Sequence, residues 1–221
     1  MSGTLPWYVA RASGLVAWGT LAASVVWGLL MTTRIMKGRV RNNWLLDLHR
    51  WLGALALIFT GVHVGALLLD TYVHFGLASL LVPFAATWHP VAVAWGVTAL
   101  YLLAAVELTS LARRRLNHRL WRRVHMLSFP LFVLSTVHGL TAGTDGRTPM
   151  ALITAVLVAA GVGALCVVRL RQLDQPGAPV ARAGTTPGNR RPTTPAWPDD
   201  AGAGRPVASR PARIAAGASG R

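Results

Sequence analysis

The sequence predicts an all-α, polytopic membrane helix bundle of about five transmembrane helices, and three observations lead there. Of 221 residues, 53% are hydrophobic and only 13% charged, roughly half the charge of an average soluble domain. The apolar residues run in five blocks, roughly 12–33, 49–69, 89–112, 121–142 and 150–170, each close to the ~20 residues that cross a hydrocarbon core as a helix. These blocks are far too long for barrel strands, and in lipid only helices or closed barrels satisfy their own backbone groups.

The first block reads as a resident span and not as a removable leader. Its apolar stretch is too long for that, and Arg34, Lys37, Arg39 and Arg41 follow it where a leader would have small residues. The second block opens near His49. After it, the loop 70–89 contains an apolar run at 75–85, too short to span, which suits a short interfacial or re-entrant helix. The third block starts at Pro90, a residue at home in the first turn of a helix. The fourth carries Pro130, which removes a rung of the hydrogen-bond ladder and predicts a distortion near residues 126–131. The fifth holds the lone cysteine, Cys166, which has no internal disulfide partner and reads as a small buried hydrophobe.

Beyond residue 171 the composition changes. Eight of the thirteen prolines fall there among Gly, Ala and Arg, too little apolar surface to offset the entropy of ordering. The expected division is a membrane domain over 1–171 and a disordered tail over 172–221.

The net charge of +15 invites a nucleic-acid reading, but its distribution argues against one. The basic residues gather in the tail, in the first loop, and in the third loop at Arg113, Arg114, Arg115, Arg119, Arg122 and Arg123. The loop 70–89 has none, and the fourth loop has only Arg147 near Asp145. The positive-inside bias then puts the N-terminus outside the cell membrane and the tail in the cytoplasm. Membrane lipid, not nucleic acid, is the implied partner. Nine tryptophans, among them Trp18, Trp44, Trp88, Trp95 and Trp121, suggest an aromatic belt at the span ends.

Four histidines fall inside apolar spans: His49 and His63 in the second, His125 and His138 in the fourth. Ionisable groups in a span are costly and face the bundle interior. His49 and His63 are fourteen residues apart, about 21 Å of rise on nearly one helix face. His125 and His138 are thirteen apart, about 19.5 Å of rise. The two spans run parallel, so His49 meets His125 near the cytoplasmic side and His63 meets His138 near the outer side. Histidine is a common axial ligand of haem iron, and bundles build cofactor sites from facing helices. Two non-covalent b haems, one per histidine pair, are therefore expected between the second and fourth helices. Gly53, Ala56 and Thr60 keep the stripe between His49 and His63 small, which suits either a flat macrocycle or plain helix packing.

Other residues carry weaker signals. Arg50, next to His49, is a candidate to pair with a haem propionate or to anchor in the interface. Arg122 and Arg123 lean towards anchoring. His74 and His89 bracket the outer loop, where an interfacial role outweighs a metal, quinone or acceptor site. His118 reads as solvated. Glu107, deep in the third span, suggests a proton relay or quinone site less than a local pair with Arg113, Arg114 or Arg115.

The spacings His49-x13-His63 and His125-x12-His138, with Leu48, His49, Arg50, Trp51, Leu52 and Gly53 opening the first, resemble the ferric reductase-like transmembrane domain superfamily. That superfamily includes NADPH oxidases, ferric-chelate reductases and the bacterial haem subunit of the methionine sulfoxide reductase system. The resemblance covers about residues 12–170. It implies that His49 and His125 ligate an inner haem and His63 and His138 an outer one, with electrons passing outward. The oxidases and chelate reductases add a flavin and nicotinamide dehydrogenase domain after the last helix. No Rossmann-type glycine fingerprint occurs here. The expected donor is therefore a partner flavoprotein or a quinol, with an external acceptor that the sequence does not specify.

Electron transfer through two stacked haems, as the membrane subunit of a reductase system, is the leading expectation. The alternatives are a non-catalytic haem-binding or sensory module and a haem-free scaffold whose histidines only pack.

Overall fold

A computed structural model describes residues 5–33, 42–70 and 75–174. The first-loop cations, His74 and the tail beyond residue 174 lie outside the described residues. Seven α-helices occur among those described: α1 (Leu5–Thr32), α2 (Asn42–Leu69), α3 (Leu77–Leu81), α4 (Pro90–Leu111), α5 (His118–His125), α6 (Ser128–Ala142) and α7 (Pro149–Asp174). A 3-10 turn, Ala112–Arg114, extends α4.

Counting α5 and α6 together, five segments are long and apolar enough to cross a membrane: Leu5–Thr32, Trp44–Leu69, Pro90–Arg114, His118–Ala142 and Pro149–Gln172. They leave large apolar side chains outside, including Ile58 on α2, Val91 on α4 and Ile153, Val156 and Leu157 on α7. Such faces are stable in lipid, whose tails are as apolar as the side chains. The chain is a multi-pass membrane protein.

α1 lies along α2, α4 lies along α6, and α1 also reaches α6 and α7. The centre is closed by Leu21, Val25 and Leu29 of α1, Ala56 of α2, Leu103 of α4 and Leu131 of α6, with further small and aliphatic residues around them. Cys166 packs against this cluster half-buried, as a small hydrophobe should. By contrast, α2 and α6 make almost no close backbone approach to each other.

The run at 75–85 forms the short helix α3, and Tyr101 of α4 donates its hydroxyl to the Leu81 carbonyl at 2.6 Å. Phe75, Ala86, Trp88, Val93 and Val97 close a second small cluster beneath it.

The fourth span is broken where the sequence predicts distortion. α5 stops at His125, a turn occupies Met126 and Leu127, and α6 restarts at Ser128. Pro130 thereby falls in the first turn of α6, where its missing N–H has no helical partner to lose. The Met126 carbonyl accepts from Phe129 N–H at 3.3 Å, and Leu127 N–H donates to Val124 at 2.9 Å. These i to i+3 bonds tighten the helix locally.

Candidate functional site

Within the bundle the structure brings the four span histidines together in two pairs. The rings of His49 and His125 have centroids 5.9 Å apart and cross at 79°. Those of His63 and His138 lie 6.3 Å apart at 80°. Thirteen residues on an unbroken helix would turn His138 well away from the His125 face, so the tightened turn at 126–127 is what lets both rings address α2.

Three of the four rings are held by the same kind of contact. His63 Nδ1 lies 2.6 Å from the Ala10 carbonyl on α1, and His138 Nδ1 lies 2.8 Å from the Ala92 carbonyl on α4. His49 Nδ1 sits 3.1 Å from the Ser24 carbonyl and 3.2 Å from the Ser24 hydroxyl. A carbonyl only accepts, so in each case Nδ1 carries the proton and Nε2 is left bare. That is the tautomer an imidazole presents to a metal, and a carbonyl partner on the far nitrogen is the usual companion of a ligating histidine.

His125 is the exception. Its Nδ1 is buried with no hydrogen-bond partner, and so is Nε1 of Trp121. The two rings stack, with centroids 5.1 Å apart and planes 20° apart, and the Arg113 guanidinium lies over Trp121 at 4.3 Å. Among the described residues no group of three or more His, Cys, Asp or Glu side chains converges. Each pair therefore offers two imidazole nitrogens, with no third His, Cys, Asp or Glu beside them among the described residues.

Residues 12–136 match the family described as ferric reductase like transmembrane component. The chain belongs to that family. The match runs from within α1 to within α6, takes in His49, His63 and His125, and ends two residues before His138. No flavin- or nicotinamide-binding family matches this ferric reductase-like chain. No curated protein and no solved structure matches it.

The side chains of the remaining candidates of this ferric reductase-like bundle are engaged away from the paired rings. Arg50 is exposed and reaches Asp47 at 3.4 Å. Glu107 makes no ion pair with Arg113, Arg114 or Arg115. It points at α2 instead, where a Cβ on Gly53 would come within 2.8 Å of its carboxylate, while the arginines lie beyond the end of α4. His89 is exposed, edge-on to Trp88 at 4.4 Å, and caps α4 with a left-handed backbone (φ 43°). His118 is exposed beside Trp121.

Two of the tryptophans assigned to an aromatic belt have other roles. Trp18 lies mid-helix in α1 and donates to Thr136 of α6 at 3.0 Å, because its face of α1 turns into the bundle. Trp121 backs His125. Asp145 is paired with Arg11 of α1, not Arg147. Sequence reasoning missed the residues that back the histidines, namely Ala10, Ser24 and Ala92 with the glycines beside them. The one available signal was spacing: Gly14 and Gly28 repeat the fourteen-residue interval of His49 and His63.

Proposed function

We propose that this chain is the haem-bearing membrane subunit of a reductase system, carrying electrons across the cell membrane from a cytoplasmic donor outward. His49 and His125 would hold an inner b haem, and His63 and His138 an outer one. The observation that carries the proposal is the pair of facing imidazoles at each end of one bundle.

The residues fit the group. The ring centroids, 5.9 and 6.3 Å apart, are close enough for the two imidazoles of each pair to hold one metal between them. A site with only two protein ligands would take the rest of its coordination from a macrocycle, and α2 and α6 make almost no close backbone approach that would fill the space between them. Trp121 Nε1 and His125 Nδ1 are buried polar atoms in want of partners at the inner end, and Arg113 and Arg50 supply positive charge there.

Bound in these sites, haem iron supplies one-electron transfer. The chain's own residues set the terms. With two histidines to hold each haem, the sites would suit outer-sphere electron transfer more than oxygen or substrate binding. The carbonyls of Ala10, Ser24 and Ala92 fix the tautomer and orientation of three rings. Leu21, Val25, Leu103 and Leu131 keep the centre dry. Orientation follows the loop charges, with the N-terminus outside and the tail in the cytoplasm. The donor is a flavoprotein or a quinol, and the acceptor lies outside.

Haem per polypeptide on the purified protein, with reduced-minus-oxidised spectra, tests this. Two b haems in the wild type, and one or none in His63→Ala and in His125→Ala, are expected. A folded preparation without haem would remove the reading.

A further inference from the structure

Three glycines meet the histidine rings, and they do so in one repeated arrangement. A Cβ on Gly14 of α1 would come within 2.9 Å of His63 Nδ1. One on Gly28 of α1 would come within 3.3 Å of His49 Cε1. One on Gly96 of α4 would come within 2.6 Å of His138 Cε1 and 2.7 Å of its Nδ1. Each glycine stands four residues after the carbonyl that faces the same ring: Ala10 before Gly14, Ser24 before Gly28, Ala92 before Gly96.

The spacing has a geometric cause. In an α-helix the carbonyl of residue i points at the N–H of residue i+4. A Cβ at i+4 tilts back towards the N-terminus and overhangs that carbonyl. The oxygen keeps a second lone pair free, but an imidazole can reach it from the side only where residue i+4 has no side chain. Gly19, elsewhere on α1, and Gly61 and Gly65 on α2 carry no such constraint, since a Cβ on any of them would meet nothing within 4 Å. The coincidence therefore belongs to the histidines and not to small-residue packing in general. His125, which has no carbonyl partner, also has no glycine against it.

We propose that Gly14, Gly28 and Gly96 are positioning residues, each opening one backbone carbonyl so that it can lock the ring of His63, His49 or His138 in the metal-facing orientation. The inference rests on the two-haem reading. It adds that two helices carrying no ligand, α1 and α4, set ligand geometry, and that three of the four axial rings share one device while His125 does not.

The test is haem retention by the purified full-length holoprotein, measured as transfer to excess apomyoglobin, together with the low-spin ferric EPR signal. Alanine is introduced at Gly14, Gly28 and Gly96, with Gly19→Ala and Gly65→Ala as controls. Loss of an outer-shell partner of a ligating histidine lowers affinity by roughly 10–100-fold. That range is expected at the outer site for Gly96→Ala and Gly14→Ala, whose clashes are the closer ones. A smaller, inner-site effect is expected for Gly28→Ala. The controls should match the wild type.

Site assignment comes from repeating the series in His49→Ala, which keeps the outer pair, and in His138→Ala, which keeps the inner pair. Gly96→Ala should speed haem loss only in the first background and Gly28→Ala only in the second. Unchanged retention and EPR signals in all three glycine variants would overturn the inference. So would equal losses at both sites, because misfolding has no site preference. A wild type with no haem overturns the parent reading instead, and that result is visible before any variant is made.

Discussion

Thr136→Val removes the acceptor of the bond that ties α1 to α6 across the bundle. In the wild type Trp18 Nε1 donates to Thr136 Oγ1 at 3.0 Å, and the same hydroxyl donates to the Phe132 carbonyl at 2.7 Å. Valine keeps the shape and β-branching of threonine, so packing is nearly preserved and the loss is polar. The indole N–H is then left without a partner in a half-buried position between α1 and α6. In soluble proteins an orphaned buried donor costs about 1–3 kcal/mol. Interhelical hydrogen bonds within membranes average about 0.6 and reach about 1.7 kcal/mol, because the unfolded chain in lipid also finds partners. A loss of about 1 kcal/mol is expected, roughly fivefold in the folding equilibrium. Unfolding the purified protein from mild detergent into SDS, followed by far-ultraviolet circular dichroism, reads this directly. Trp18→Phe and the double variant complete a cycle whose coupling should be about 0.6–1 kcal/mol. Thr136→Ser, which keeps the acceptor, should lose little. Coupling indistinguishable from zero would mean the bond does not hold α1 on α6.

Three further outcomes follow from the same structure. Leu131→Ala should destabilise by about 2–5 kcal/mol in the same SDS titration, since Leu131 is 2% exposed in a buried cluster drawn from five helices. Arg50→Gln should change stability by less than about 0.5 kcal/mol, its side chain being 65% exposed. It should also lower the midpoint of the proposed inner haem by roughly tens of millivolts in a redox titration, by removing one nearby positive charge. The proposed inner haem should be the first lost on dilution in detergent, because His125 alone of the four histidines has no backbone partner; slower loss from the inner site would contradict that asymmetry.

The spans were legible in the sequence because lipid imposes a long, one-dimensional apolar signal that local reading captures well. The break near Pro130 was legible for a similar reason, being a backbone rule, although the turn falls at Met126 and Leu127, ahead of the proline. Span ends were read less well: α1 begins at Leu5, since Tyr8 and Val9 sit exposed on a helix that continues past the apolar block. Glu107 went astray because charge suggests the nearest opposite charge, whereas helix phase turns this side chain towards Gly53 and away from the arginine run. The backing of the histidines was invisible to motif reading. Backbone carbonyls leave no mark of their own in a sequence, and a glycine four residues on is interpretable only once its neighbouring helix is known. Trp18 shows the same limit, since belt and bundle tryptophans look alike until the helix face is fixed.

The division of ligands between α2 and the α5–α6 pair has a consequence for biogenesis. Each proposed site takes one histidine from the second span and one from the fourth, so neither can close while only the first half of the chain has been made. A ribosome inserting helices in order must deliver residue 138 before the second site has both ligands, and residue 125 before the first. Cofactor capture at the proposed sites would thus be a late maturation step, coming after most of the membrane domain has been threaded into the bilayer.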